Sequence, residues 1–358
     1  MHRSEFTYTS RPARIVFGAG SLQHLAREVD ALGLSRLLVL STPGHADEGH
    51  RVAALLEERS AGVFAKARMH VPADIAREGC ALARQVEADG TVAIGGGSTV
   101  GLGKAIALEL GLPLVAIPTT YAGSEVTTMY GITEGGAKRT GLDARVLPRT
   151  VIYDPELTLT LPVALSVTSG INAIAHAVEG LYSREGSPIV DLMAEEGIAT
   201  LAGALPRIVA NATDGDARVD ALRGSWLCGT VMGSVPMALH HKLCHTLGGP
   251  FDLPHAQTHT IVLPHALAYN APAVPDAVNA VARALGTDDA PRGLYELARR
   301  GGVPVALADI GMREVDLDRA ADLALANPYW NPRPVERMGI RKLLQDAFDG
   351  REPAGAGR

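Results

Sequence analysis

The chain has only three cysteines, Cys80, Cys228 and Cys244, in 358 residues. They are odd in number and lack metal-type spacing, which excludes a disulfide framework and points to a reducing compartment. No run approaches the roughly 20 apolar residues of a membrane span. Basic charge is not in excess. The 33 basic residues against 39 acidic ones leave a formal charge of −6, which argues against nucleic acid or an anionic membrane as partner. The stretch Met1 to Arg14 lacks the apolar core of a signal peptide, so a cytoplasmic location is expected. Internal repeats are missing as well. What is present is a globular composition, 47% hydrophobic and 20% charged, sufficient for a real core. At this length two domains are the natural expectation.

Short apolar runs rich in β-branched residues fall at Arg14–Phe17, Leu37–Ser41, Thr91–Gly95, Leu114–Pro118 and Val151–Asp154, with a weaker one at Val63–Arg68. Helical patterns lie between them, at Leu22–Leu32, His50–Glu58, Asp74–Glu87 and Thr99–Leu110. This rhythm predicts an α/β domain, a parallel sheet with flanking helices. Ligands of such sheets bind at the carboxyl ends of the strands. After Asp154-Pro155 helical periodicity takes over to about Gln345. The expected division is an α/β dinucleotide-binding domain over 1–160 and an all-α domain over 161–358.

The clearest chemical signal is Val92-Ala93-Ile94-Gly95-Gly96-Gly97-Ser98-Thr99. An apolar strand runs into three glycines and then a helix. Glycines let a backbone approach a phosphate, and the helix offers its free N–H groups to the anion. An ordinary strand-to-helix turn is the competing reading. Pro118-Thr119-Thr120-Tyr121-Ala122-Gly123-Ser124-Glu125 follows the next strand and is dense in small hydroxyl residues. Two such loops suit one extended ligand better than two unrelated turns. By contrast, Gly18-Ala19-Gly20 lacks the third glycine of a dinucleotide fingerprint and predicts a turn.

Six of the 12 histidines lie close together: His240, His241, His245, His255, His259 and His265. His241 and His245 share a helix face, as do Asn172 and His176 upstream. That is the layout of a site assembled from facing helices. Any one histidine could equally cap a helix or fill a core hydrogen bond; the cluster favours an active site.

The order of motifs is Gly-Gly-Gly-Ser, Pro-Thr-Thr with Gly-Ser-Glu, Asp154-Pro155, a helix with a ligand pair, then His-x3-His-x9-His. Over nearly the whole chain this order resembles the iron-containing alcohol dehydrogenase superfamily. Tyr121 after the threonines, and Asn327-Pro328-Tyr329-Trp330-Asn331-Pro332-Arg333-Pro334, resemble its maleylacetate reductase branch. The resemblance implies an NAD-binding α/β domain, a helical catalytic domain, and NADH-dependent reduction of the carbon–carbon double bond of maleylacetate to 3-oxoadipate. It places the family's metal-binding histidines on His176, His241 and His255, and a further active-site histidine on His245. The family's fourth ligand is an aspartate, where this chain has Asn172. A neutral amide serves a divalent cation less well than a carboxylate, so no metal is expected.

On that reading His241, His245 and His255 form the catalytic set, with Tyr329 as a helper. Asn172 and His176 line the substrate site, and Lys242 and Arg333 recognise a dicarboxylate. The implied cofactor contacts are Thr42, Gly95, Gly96, Gly97, Ser98, Thr119, Thr120, Ser124, Glu125 and Lys138. The turn holding Thr42 has no acid to repel a 2′-phosphate, so NADPH is expected to serve beside NADH. The alternative is a metal-dependent alcohol or polyol dehydrogenase of the same fold. The expected partner is a small-molecule dicarboxylate, and a homodimer is expected.

Overall fold

The structure, a computed structural model, describes residues 5–9, 13–135 and 137–353. The chain divides into two compact units, Ser10–Leu161 and Pro162–Arg358, the latter joined by Met1–Thr9. Position in the chain would have put residues 5–9 with the first unit. They form no strand, so no ladder ties them to its sheet.

The first unit runs β1 (Arg14–Phe17), α1 (Leu25–Ala31), β2 (Leu37–Leu40), α2 (Ala46–Leu56), β3 (Ser60–Phe64), α3 (Ala73–Gln85), β4 (Gly90–Gly95), α4 (Gly97–Leu110), β5 (Leu114–Pro118), β6 (Met129–Glu134), β7 (Ala137–Leu142) and β8 (Thr150–Tyr153). Six strands form one parallel sheet in the order β1-β8-β5-β4-β2-β3. The side-chain period of two assigns each strand residue to a face. Leu37, Val39, Val92 and Ile94 meet Leu25, Val29, Val52 and Leu56 on one side. Leu38, Leu40 and Ala93 meet Ile75, Cys80, Leu102 and Ile106 on the other. Both faces are covered, which is why β2, β4 and β5 read as continuous apolar runs.

Two features depart from the sequence reading. The weak run at Val63–Arg68 is a strand displaced to Ser60–Phe64, and β6 and β7 form an antiparallel hairpin where no strands were expected. The hairpin residues Ala137-Lys138-Arg139-Thr140-Gly141-Leu142 carry little β-branched character, and Gly135, with φ of 57°, stands at the turn. The Gly18–Gly20 segment is a turn. Its Gly20 and Leu22 N–H groups donate to the Asp154 carboxylate at 3.1 and 3.0 Å, so a side chain of the protein already fills the place of an anion.

The second unit is helical among its described residues: α5 (Val163–Leu181), α6 (Pro188–Ala210), α7 (Gly215–Ser234), α8 (Leu239–Gly248), α9 (His255–Asn270), α10 (Pro275–Leu285), α11 (Ala290–Arg300), α12 (Leu317–Leu325) and α13 (Arg337–Phe348). Glycine permits a close approach of α6 to α7: a Cβ on Gly197 would stand 2.7 Å from Cys228 Sγ. One face of α8 (Leu239, Leu243, Leu247) packs with Ile261 and Val262 of α9, Ala320 and Ala324 of α12, and Leu343 and Leu344 of α13. Each large aliphatic so buried contributes about 1.5–3 kcal/mol. This core fixes the opposite face of α8, which carries the histidines. α9 begins at His255, earlier than the expected Thr258, and so brings His255 onto its first turn. No helix of the described residues is long and apolar enough to cross a membrane.

Candidate active site

β4 and β5 end side by side, Gly95 opposite Pro118, and the Thr119 N–H donates to the Gly95 carbonyl at 3.1 Å. Gly95 has φ of +144°, and a Cβ there would stand 2.6 Å from Thr99 Oγ1. A Cβ on Gly96 would stand 2.9 Å from Thr120 Cγ2. No side chain caps the start of α4, which leaves its first turn suited to an external acceptor. Ser124 Oγ lies 3.9 Å from the Cβ position of Gly97 and is buried without a hydrogen-bond partner. Ser98, Thr119 and Thr120 are half-buried beside it. The two loops anticipated from the sequence thus form one polar cradle at the carboxyl ends of neighbouring strands.

Lys104, on α4, holds the second loop in place. Its buried ammonium donates to the carbonyls of Ser124, Thr127 and Met129 at 2.6, 2.8 and 2.8 Å and to Thr127 Oγ1 at 2.9 Å. Burial pulls its pKa down to about 7, with Glu125 opposing the shift. Glu125, expected among the cofactor contacts, is enclosed instead. It is 1% exposed and accepts a 2.7 Å hydrogen bond from the Tyr153 hydroxyl, and burial raises its pKa. Its place is beneath the loop as a support. Thr42 follows β2, half-buried, with its Oγ1 2.9 Å from His45 Nδ1. The side chain of Lys138 lies outside the described residues.

The histidine cluster is organised by Glu179, the only charged residue of α5. Its carboxylate accepts from the N–H groups of Ala238 and His240, each at 2.7 Å, from His241 Nδ1 at 2.8 Å and from the Tyr182 hydroxyl at 3.2 Å. It supplies the cap that α8 lacks in its own sequence. With Glu179 accepting, His241 carries its proton on Nδ1 and turns Nε2 to His176 Nδ1, 2.8 Å away. His259, from α9, packs its ring 5.1 Å from that of His241 and 4.3 Å from that of His255, centroid to centroid. His259 Nδ1 is 3.0 Å from His240 Nε2, and burial lowers the pKa of both rings well below the usual range. His255 is half-buried, whereas His245 is exposed with its ring 6.5 Å from that of His241.

Four buried polar atoms among the described residues of this unit have no hydrogen-bond partner: Asn172 Oδ1, His259 Nε2, His265 Nε2 and the Tyr329 hydroxyl. Burial, then the charge of Glu179, pushes the Tyr329 pKa up, so its hydroxyl keeps its proton. Lys242 is half-buried, its Nζ 5.6 Å from the Tyr329 ring centroid. Arg333, expected to recognise a carboxylate, is committed elsewhere. Its guanidinium donates to the Tyr269 carbonyl at 2.7 Å and lies 4.3 Å from the Tyr269 ring centroid. A planar cation with an aromatic face and a carbonyl available packs there.

Residues 12–155 match the iron-containing alcohol dehydrogenase family, and residues 166–348 match its C-terminal region. The chain belongs to the iron-containing alcohol dehydrogenase family. The fold is that family's, as expected from the motifs: an N-terminal parallel-sheet domain and a helical C-terminal domain. A maleylacetate reductase from Burkholderia cepacia is 59% identical, over 98% of this chain and 99% of its own length. The crystal structure of maleylacetate reductase from Rhizobium sp. matches with a TM-score of 0.94 and 53% identity, covering 98% of this chain and 100% of that one. A Ralstonia eutropha structure classed with the alcohol dehydrogenases matches with a TM-score of 0.97 and 63% identity, covering 98% and 100%.

The family name raises the question of iron. The positions in question hold Asn172, His176, His241 and His255, three imidazoles and a neutral amide with no anionic ligand. Glu179 is the nearby carboxylate, but its oxygens are taken by four donors. This donor set does not fit iron, which favours a carboxylate beside histidines. Among the described residues the buried histidine and cysteine atoms that converge within 4.8 Å are those of His240, Cys244 and His259, a different set.

Sequence reasoning missed Lys104 and Glu179 and left His240 and His259 without roles. Glu179 had a signal, a lone acid in an apolar helix three residues after His176. Lys104 had a similar one, a lone lysine in a helix whose neighbouring positions include Val100, Leu102, Ile106 and Ala107.

Proposed function

We infer that the chain reduces the carbon–carbon double bond of maleylacetate to give 3-oxoadipate, with NADH as reductant. The observation that carries this is the 59% identity, end to end, with a maleylacetate reductase. The site chemistry supports it. Reduction of an alkene conjugated to a ketone develops charge on an enolate oxygen, a weaker base than an alkoxide, and preorganised donors worth about 3–4 kcal/mol each can hold it.

In this reading Gly95, Gly96, Gly97 and Ser98, with Thr119, Thr120 and Ser124, hold the cofactor's diphosphate, and Lys104 and Glu125 keep the second loop in shape. NADH bound there supplies the hydride, which is delivered to the alkene carbon β to the ketone. His245 and His255 provide hydrogen bonds to the enolate oxygen and the proton that completes the neighbouring carbon, while His241, its one N–H held by Glu179, completes the catalytic set as their support. Asn172 and His176 line the site. Tyr329, held protonated, is a further donor. Lys242 takes a carboxylate; Arg333 shapes the wall through Tyr269. Thr42 presents no acid to a 2′-phosphate, so NADPH serves as a second cofactor.

Catalysis proceeds without a metal. Protein purified without added metal, then treated with chelator, should keep its full rate of NADH oxidation with maleylacetate, and NADPH should give a measurable rate. Simple aldehydes and ketones should give little. Near-stoichiometric iron or zinc in elemental analysis, with activity lost on its removal and regained on its return, would contradict this and favour an alcohol dehydrogenase. Three buried, unpaired cysteines support a cytoplasmic setting, and family resemblance supports a homodimer, which light scattering on the eluting protein will check.

A further inference from the structure

We propose that His259 contacts the substrate as a hydrogen-bond donor, its proton fixed on Nε2 by a relay from Cys244 through His240. The identity of the ligand rests on the function inferred above; the state of the ring does not. Cys244 is 1% exposed, and burial holds its thiol protonated, so the thiol is a donor. Its Sγ lies 3.9 Å from His240 Nδ1 and 3.7 Å from His240 Nε2. Sγ is almost equidistant from the two ring nitrogens; because Nε2 is engaged with His259 Nδ1 at 3.0 Å, the thiol is assigned to Nδ1 as acceptor. A neutral imidazole carries one proton, so His240 bears it on Nε2 and donates it to His259 Nδ1. His259, accepting at Nδ1, must bear its own proton on Nε2.

That Nε2–H is fully buried and meets no acceptor in the protein. Leaving such a group unpaired costs about 1–3 kcal/mol, which a ligand oxygen recovers. The ring packs directly against those of His255 and His241, two members of the catalytic set. Every oxygen of maleylacetate, in two carboxylates and a ketone, is an acceptor only. A donor of fixed tautomer is what such a ligand requires, and it needs no proton exchange with solvent to be ready.

The test has two arms. In the first, His259→Leu should lower kcat/KM for maleylacetate at least thirtyfold and leave the dissociation constant of NADH within twofold. His259→Gln, whose amide restores an N–H near Nε2, should recover at least a third of the lost activity on a logarithmic scale. The second arm needs no variant: nitrogen-detected NMR of histidine-labelled protein should show His259 as the Nε2–H tautomer, with the Nε2 resonance moving when 3-oxoadipate or adipate is added. An Nδ1–H tautomer, a resonance indifferent to both diacids, or a His259→Leu protein with unchanged kcat/KM would overturn the proposal. Should maleylacetate not be reduced at all while the tautomer and the adipate response are as described, the inferred substrate fails and the role of His259 stands.

Discussion

Glu179→Gln should lower kcat with maleylacetate at least a hundredfold, about 2.7 kcal/mol of transition-state stabilisation, while the dissociation constant of NADH stays within twofold. The carboxylate serves four donors at once: two N–H groups at the start of α8, His241 Nδ1 and the Tyr182 hydroxyl. An amide keeps one oxygen and turns an N–H₂ toward the rest. Whichever way it sits, an N–H₂ faces a donor that cannot accept. Either α8 loses its cap, or His241 shifts its proton to Nε2 and loses its bond to His176. The cradle formed by Gly95–Ser98 and the second loop lies in the other unit and has no hydrogen bond to this network among those described. Glu179→Ala removes all four acceptor interactions, and at about 1–3 kcal/mol for each buried group left unpaired the loss approaches the 5–15 kcal/mol that holds a typical domain together. The glutamine variant is therefore the kinetic test, and thermal unfolding of the alanine variant is the stability test. A kcat within tenfold of the parent for Glu179→Gln would show that the tautomer of His241 is set by something else.

Gly95→Ala should weaken NADH binding at least a hundredfold, and Gly97→Ala less than tenfold. The two glycines look alike in sequence and differ in geometry. Gly95 has φ of +144° with Thr99 Oγ1 2.6 Å from its Cβ position, so alanine there is strained in its backbone and crowded as well. A Cβ on Gly97 would meet only Ala122 Cβ and Ser124 Oγ, both at 3.9 Å, an ordinary contact. Fluorescence titration of NADH against each variant, with melting curves to confirm that the fold persists, separates the two. Equal losses at both positions would mean that the cofactor approaches the loop from the side of Gly97 and that the strain at Gly95 has no bearing on it.

The contrast between these sites shows how far the sequence could be read. β4 and β5 were legible because a strand buried on both faces is largely an apolar run. The hairpin β6–β7 was not, because Ala137–Leu142, with Lys138-Arg139-Thr140 in succession, presents no apolar face. Helix periodicity placed Asn172 with His176 and His241 with His245, since residues one turn apart share a face. It could not say which carboxylate would reach across from α5 to α8, or that His259 and not His245 would be buried beside His241. Those are facts of packing between segments far apart in the chain. The protein partners of Arg333 and Glu125 were hidden for a related reason. A charged side chain near a motif looks available until the structure shows Tyr269 or Tyr153 holding it.

The central claim is that hydride goes to carbon of the alkene and not to the carbonyl. It is tested by reducing maleylacetate with NADH deuterated at the transferring position and examining the product by mass spectrometry and NMR. The account predicts 3-oxoadipate carrying one deuterium on the carbon β to the ketone, with the ketone intact. A hydroxy acid with deuterium on the carbinol carbon and the double bond retained would contradict it.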